Sequence, residues 1–237
     1  KKQPKMINFS TSCIKVSDTQ ICPFCYSNKI VKNGHTKTKK QQFFCKKCRC
    51  RFLDYYSYKA YHHRINNYIV EFIKEGLGIR SISRVLNIST TTLLKRIVLI
   101  AQKIKRPILI YGKRYELDEM RFYIHKKKNL QWLVYALERE TKKVVGFSFG
   151  KRTNKTLNTV VKTLLNAKPE RIYTDKLANY KFLIPKNFHF TRKYGTNHIE
   201  RKNLTIRISL KRFQRKTICF SRSITITTAI LKIYFWT

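Results

Sequence analysis

Acidic residues are what this sequence has least of: 12 Asp and Glu stand against 52 Lys and Arg, a formal net charge of +40 over 237 residues. A compact chain with that imbalance repels itself unless a polyanion screens it, and nucleic acid is the natural partner. Long apolar runs are also missing. No stretch of about 18 uncharged apolar residues occurs, and no short apolar core follows the basic start, which argues against a membrane span and against export. Disulfide-style cysteine usage is absent too: seven cysteines is an odd number, and four of them fall in a metal spacing, which points to a reducing compartment. The expectation is a cytoplasmic, nucleoid-associated chain with no membrane partner. Because it opens on Lys1, the chain reads as a fragment or as carrying an upstream extension, with Met6 a candidate start. A hydrophobic content of 43% suffices for a packed core, and the length allows one moderate domain or two to three small ones.

Residues 1–20 show no periodicity and read as a basic leader. Over 21–56, Cys22-Pro-Phe-Cys25 and Cys45-Lys-Lys-Cys48 have the spacing that lets two knuckles wrap one tetrahedral Zn²⁺. So short a segment cannot bury enough apolar surface to fold unaided, and metal binding supplies the missing free energy. Asn33-Gly34 suits a tight hairpin turn, with Gln41-Gln-Phe-Phe44 as the returning strand. The segment reads as a zinc ribbon with one structural Zn²⁺. Cys50 leaves a competing Cys48-x-Cys50 pair, while Cys13 and Cys219 read as ordinary thiols.

A Tyr-rich connector, 53–61, leads into helical periodicity, and 57–106 read as one helical domain. Ile65, Ile69, Phe72 and Ile73 form a first stripe that stops at Gly76-Leu-Gly78. A short second helix over 80–86 is expected to bury Ile82, Val85 and Leu86. Ser89 is placed to cap a third helix with the stripe Leu93, Ile97, Ile100 and Ile104. Helix, short helix, turn and longer helix make a helix-turn-helix pattern, in which Thr91, Thr92, Lys95 and Arg96 would face DNA. A plain helical linker is the competing reading. Pro107 marks the boundary.

The period then changes to alternation, and 107–237 read as one mixed α/β domain. In Arg114-Tyr-Glu-Leu-Asp-Glu-Met-Arg-Phe-Tyr-Ile124 a strand sets Asp118 on one face with Met120, Phe122 and Ile124, and Glu119 on the other. A carboxylate in a core-facing row is costly unless something charged meets it. Strands over 130–138 and 143–150 complete an antiparallel meander. A helix over 156–166, a strand ending at Asp175, a helix over 178–183 and a last helix from His198 follow. The first strand and the one ending at Asp175 can lie parallel, so the two aspartates can converge. Glu200 lies beside the buried stripe Ile199, Ile206, Leu210 and Phe213; a capping box with Asn197 is the local alternative. Asp118, Asp175 and Glu200 together predict a metal cluster. Three close carboxylates need cations, and two Mg²⁺ ions, with Mn²⁺ as a substitute, would clamp a phosphodiester between them. Arg201, Lys202 and Arg207 would hold DNA phosphates.

In order, Cys22-Pro-x-Cys25 with Lys32-Asn-Gly-His35, the helix-turn-helix, Leu117-Asp-Glu-Met120, Tyr173-Thr-Asp175, and Ile199-Glu-Arg-Lys-Asn203 before Arg215-Lys-Thr-Ile-Cys-Phe-Ser221 resemble an insertion-sequence transposase of the IS-one type. The resemblance runs from Ile21 to about Ile230. It implies an RNase H-like domain and an acidic triad falling on Asp118, Asp175 and Glu200. It further implies recognition of terminal inverted repeats by the amino-terminal half, and strand transfer of 3′-hydroxyl ends into target DNA, with a homo-oligomer formed on that DNA. The fold class expected is therefore multidomain α+β: zinc ribbon, helix-turn-helix, then RNase H-like catalytic domain. Asp175-Lys-Leu-Ala178 departs from the Gly-aromatic pair that usually follows the second acid, and the tail at 224–228 is polar where the family tends to place an acid. An inactive copy, or a non-catalytic zinc-ribbon and helix-turn-helix regulator, is the alternative. A tyrosine recombinase using Tyr234 with His198 and Arg201 is the third.

Overall fold

The computed structural model describes residues 21–53 and 58–237, with the backbone alone of 14–15 and 55–56. Apart from the backbone of 14–15, the leader 1–20 lies outside the described residues, as does part of the connector 53–61. The chain divides into two compact units: one holds 1–65 with 84–88, the other 66–83 with 89–237.

In the first unit, β1 (Ile14–Lys15) pairs antiparallel with a later strand, and β2 (Ile30–His35), β3 (Gln41–Cys45) and β4 (Arg51–Leu53) form an antiparallel sheet in that order. The partner of β1 is β5 (Tyr55–Tyr56). Phe43 and Phe52 stack at 5.6 Å beside buried Cys22 and Cys45. Asn33-Gly34 is not the hairpin turn that its sequence suggests. Gly34, at φ +71°, sits inside β2 where the register with β3 slips between Lys32 and His35, as a bulge does. The turn comes later: Thr36 and Lys40 close it, with the Thr36 hydroxyl oxygen accepting from the Lys40 N–H at 3.1 Å and Lys39 at φ 60°.

Three helices follow, α1 (Ile65–Lys74), α2 (Ile79–Leu86) and α3 (Thr90–Lys103). Ile65, Ile69, Ile73, Ile82, Leu86, Leu93 and Ile97 are buried as the periodicity demands, but Val85 is 45% exposed. It lies three residues from Ile82 and next to Leu86, and two buried side chains already fill the narrow apolar arc of so short a helix. Ser89 caps α3, its hydroxyl accepting from the Thr92 N–H at 3.1 Å. The helix ends at Lys103, with Ile104 already extended, ahead of Pro107.

In the second unit a five-stranded sheet is built from β6 (Arg114–Tyr123), β7 (Leu130–Glu138), β8 (Val144–Gly150), β9 (Arg171–Tyr173) and β10 (His189–Phe190). The spatial order is β10-β9-β6-β7-β8. β6, β7 and β8 are the antiparallel meander read from the sequence, and β9 joins β6 in parallel. β10, absent from the sequence reading, adds in parallel to β9. On one face, Tyr115, Leu117, Val134, Ala136 and Val145 pack on Leu157, Val160 and Leu164 of α4 (Asn154–Asn166) and on Tyr180 of α5 (Ala178–Leu183). The other face carries α6 (Asn197–Ser209), a 3-10 turn at Lys211–Phe213, and α7 (Ile224–Trp236). There Phe122 meets Phe213 at 5.3 Å and Tyr135 stacks on Phe235 at 6.1 Å. The polar tail at 224–228 opens α7: Ser223 caps it, and Thr227 and Thr228 return their hydroxyls to carbonyls four residues back. The helix lies on α3 and bonds β8 through Trp236 Nε1 to the Val144 carbonyl at 2.8 Å. No helix among the described residues is long and apolar enough to cross a membrane.

The end of α1 is fixed by Gly76 at φ +75°. Leu77 N–H reaches the Phe72 carbonyl and Gly76 N–H the Ile73 carbonyl, a Schellman closure. A Cβ on Gly76 would stand 2.1 Å from the Ser209 carbonyl oxygen, whereas one on Gly112, at φ +70°, meets nothing within 4 Å. Gly112→Ala is expected to cost about 1 kcal/mol from its backbone alone. Gly76→Ala should cost at least about 2–3 kcal/mol more, because the backbone must also move. Thermal unfolding of the two variants measures the difference; equal losses would show that α1 and α6 do not meet at Gly76.

Candidate active site and metal-binding clusters

The last paired residues of β6 and β9 are Glu116 and Tyr173. Two residues further along both chains stand Asp118 and Asp175, so the parallel register itself sets these acids side by side. One carboxylate oxygen each from Asp118, Glu119 and Asp175 lies within 4.8 Å of the others. Asp118 turns one oxygen back to its neighbour's N–H, Glu119 N to Oδ1 at 2.8 Å, and takes the Asn203 side-chain amide on the other at 2.6 Å. Asn203 is oriented in turn by Tyr135, whose hydroxyl donates to Asn203 Oδ1 at 2.8 Å and also lies 3.2 Å from the Ile199 carbonyl. Asp175 accepts from Leu177 N–H at 3.0 Å in the turn before α5. Behind it, the buried Thr174 hydroxyl sits 2.8 Å from His189 Nε2 and tethers β9 to β10.

Burial raises the Asp118 carboxyl to about 6; the charges of Glu119 and Asp175 add to the rise, and the N–H groups of Glu119 and Asn203 oppose it. Glu119 is also raised by burial, yet its charge is answered: Tyr180 donates its hydroxyl to Oε1, and Arg152 Nη2 lies 3.1 Å from Oε2. Arg152 is itself stacked on Trp132, 4.8 Å from the ring centroid. Glu116, Glu140 and Glu170 likewise have arginine or lysine partners. Among the described residues, Asp118, Asp175 and Glu200 have no ion-pair partner.

Glu200 stays outside the three-acid group. It is exposed in the first turn of α6 and accepts the Thr196 hydroxyl at 2.8 Å, so the local contact comes from Thr196 and not from the Asn197 box. From α6 it is Asn203, one turn on, that touches Asp118. The sequence reading missed Asn203, Glu119, Tyr135 and Tyr180. The Asn203 signal was there, three residues after Glu200 and so on the same side of a helix. Of the cations expected to hold phosphates, Arg201 is exposed and Lys202 lies 5.9 Å over the Tyr234 ring. Arg207 is lowered by burial, and it senses Asp118 as well as the repelling Arg215 and Arg121. Tyr234 bonds Ser209 Oγ at 3.2 Å. On α3, Thr91 and Lys95 are exposed, Thr92 is half-buried at the cap, and Arg96 Nη1 reaches Asn66 at 3.1 Å.

The second cluster is Cys22, Cys25, Cys45 and Cys48, whose sulfurs lie within 4.8 Å of one another. Sulfur pairs Cys22–Cys48 and Cys25–Cys45 stand 3.5 and 3.6 Å apart. A tetrahedron of thiolates with Zn–S near 2.3 Å has edges of about 3.8 Å, so the four fit zinc. The backbone N–H of Cys48, then that of Lys47, holds the Cys45 thiol down to about 6, which readies one thiolate for a cation. Cys50 lies outside the four and points its thiol to the Cys48 carbonyl. The acid cluster, all carboxylate oxygens, suits a hard ion such as Mg²⁺.

The raised Asp118 carboxyl has a consequence for stability. Its folded value near 6 lies above the unfolded value of about 3.9. Between those values the native state holds the extra proton, so stability falls as pH rises through about 4 to 6. In metal-free buffer at pH 7, Asp118→Asn is expected to raise stability by about 1 kcal/mol, roughly 2–4 °C in Tm, and to flatten that pH slope. Mg²⁺ should stabilise the unmodified protein and not the variant. Denaturant titration at pH 4.5 and 7 with and without Mg²⁺ checks this; a variant no more stable than its parent at pH 7 would contradict it.

The profile of the family described as IS1 transposase matches residues 112–236, more than half of the chain and the whole acid cluster. The insertion element iso-IS1n protein InsB of Shigella dysenteriae is 38% identical over 116 residues, 49% of this chain and 88% of that protein. The insertion element IS1 protein InsB of Shigella flexneri is 34% identical over 120 residues, 50% of this chain and 91% of that protein. Insertion element IS1 2 protein InsB of Escherichia coli K12 is 36% identical over 109 residues, 46% and 65% respectively. Among solved structures, a chain of the simian T-cell lymphotropic virus intasome in complex with PP2A regulatory subunit B56 gamma aligns at TM-score 0.38 and 14% identity, over 69% of this chain and 66% of that one. The HTLV-2 integrase catalytic core domain in complex with magnesium aligns at 0.35 and 17%, over 54% and 86%. On the match to its family profile and the identity to the InsB proteins, this chain belongs to the IS1 transposase family.

Proposed function

We propose that this transposase is a DDE-type enzyme that binds the terminal inverted repeats of its element, cleaves phosphodiesters with divalent metal, and transfers the resulting 3′-hydroxyl ends into target DNA. The observation that carries the reading is the pair Asp118 and Asp175: adjacent by strand register, and without a cation partner among the described residues of a +40 chain. Acids placed against their own charge are costly unless a ligand repays it. Asp118, Asp175 and Glu200 would hold two Mg²⁺ ions, with Mn²⁺ as a substitute. When bound, these ions would supply an acidified water or 3′-hydroxyl and a stabilised leaving oxygen. Asn203 keeps Asp118 aimed, and Arg152 keeps Glu119 neutralised so that it does not compete for the same ions. Glu200 lies one turn from Asn203 on the same helix face, and its exposed side chain would have to turn toward the pair to join it. The meander, the parallel β9 and the helices on both faces agree with an RNase H-like catalytic domain over 107–237.

The four-cysteine cluster serves as a zinc ribbon over 21–56, and the helices of 57–106 as a helix-turn-helix with Thr91, Thr92, Lys95 and Arg96 toward the DNA. Arg201, Lys202 and Arg207 would grip phosphates beside the acids. Joining two ends requires at least a pair of active sites, hence a homo-oligomer on DNA, in the cytoplasm at the nucleoid.

Strand transfer with labelled element ends tests the chemistry. Asp118→Asn, Asp175→Asn and Glu200→Gln should each lower the rate by at least about 10²–10³-fold, with end binding kept. EDTA should abolish the reaction, and no DNA should become covalently attached to protein. Full activity in any variant removes that acid from the site; a protein–DNA covalent adduct lost in Tyr234→Phe would establish the tyrosine mechanism instead. For the ribbon, Cys45→Ser is expected to lose the bound zinc and speed amide exchange over residues 21–53 while leaving 130–150 protected. Unchanged exchange would show that the thiols are not metal ligands.

A further inference from the structure

Glu116 is fully buried, two residues before Asp118 on the same face of β6. A buried carboxylate is among the costliest groups to place in a core, and Glu116 is engaged across 83 residues of sequence: Oε2 accepts the backbone N–H of Ile199 at 2.8 Å. Arg139 Nε lies 3.5 Å from the other oxygen, which makes no hydrogen bond. Ile199 is the third residue of α6, so its N–H is one of the four that a helix leaves unmatched at its start. The residue that normally answers them, here Thr196, gives no side-chain bond to those amides and spends its hydroxyl on Glu200. The cap of α6 is thus supplied by a strand, and a negative charge at that end also suits the helix dipole. Tyr135 from β7 takes the Ile199 carbonyl and Asn203, and Asn203 takes Asp118. Three consecutive contacts therefore tie the first two turns of α6 to the two strands under the acids, and Glu200 projects from between the tied residues.

We propose that Glu116 is a positioning residue for catalysis: its carboxylate caps α6 from the strand that carries Asp118 and thereby sets Asn203 and Glu200 against the acid pair. The catalytic consequence rests on the metal-dependent transferase reading, while the docking does not.

Two readouts on the full chain separate them. In Glu116→Ala, amide exchange over residues 197–206 should speed by at least about tenfold while residues 130–150 keep their protection. kcat for strand transfer should fall about a hundredfold, the scale of a misplacement near 1 Å, with KM for DNA held within about twofold. Glu116→Gln keeps an acceptor for the Ile199 N–H and should recover both to within about threefold of the parent. If the alanine variant does not fold, Glu116→Asp, one methylene too short to reach, takes its place with the same expectation. Unchanged exchange over 197–206, or a loss of protection spread evenly through the sheet, overturns the proposal. So does local loosening of α6 with kcat intact. A parent protein that performs no metal-dependent transfer overturns the function reading instead, and the exchange data still decide whether Glu116 docks the helix.

Discussion

Two aspartates lie abreast in a chain crowded with cations, and among the described residues no Lys or Arg forms an ion pair with either. Burial is the largest cost on the Asp118 carboxylate, and the like charges of Glu119 and Asp175 add to it. The sheet bears that load because both of its faces are packed. Tyr115 and Leu117 are fully enclosed on one side of β6, Met120 and Phe122 on the other, and the strand cannot peel away to separate the acids without exposing all four. The load is reduced locally by N–H donors, from Glu119 and Asn203 on Asp118 and from Leu177 on Asp175. Donors lower the cost of a carboxylate without neutralising it, and so leave its charge available to a metal ion.

Two acids beside the pair on β6 are answered by neighbouring groups. Glu119 sits next to Asp118 and is more deeply enclosed, but Arg152 and Tyr180 hold it; Glu116, two residues earlier, has Arg139 and the α6 amide. Arg207 senses the Asp118 charge, yet burial and the repulsion of Arg215 and Arg121 work against its own charge.

How much of this could be read from the sequence follows from which interactions are local. Cysteine spacing is local, and the four-thiol cluster is where the spacing placed it. The meander was legible because short turns fix antiparallel register, and the pairing of Asp118 with Asp175 followed from a parallel strand entering beside β6. Alternation then misled at Glu119: when both faces of a strand are covered, the period of two no longer separates core from solvent, and residues 115–117 and 119–120 are all buried. Asn33-Gly34 misled for a different reason, since the positive φ that glycine supplies serves a bulge as well as it serves a turn. The bonds from Glu116 to Ile199 and from Asn203 to Asp118 join residues more than 80 positions apart, and nothing in a local pattern announces them.

The same packing links the acids to the helical segment. α3 lies against α7 within the larger compact unit, and α7 bonds β8 through Trp236 and stacks Phe235 on Tyr135. Tyr135 is the residue that orients Asn203, and Asn203 orients Asp118. The exposed face of α3, with Thr91 and Lys95, therefore belongs to one packed body with the acid pair. Adjacency of this kind is not evidence of energetic coupling. It does remove one degree of freedom: that face and the acids keep a separation fixed by side-chain packing, because close-packed aromatic and aliphatic contacts deform little.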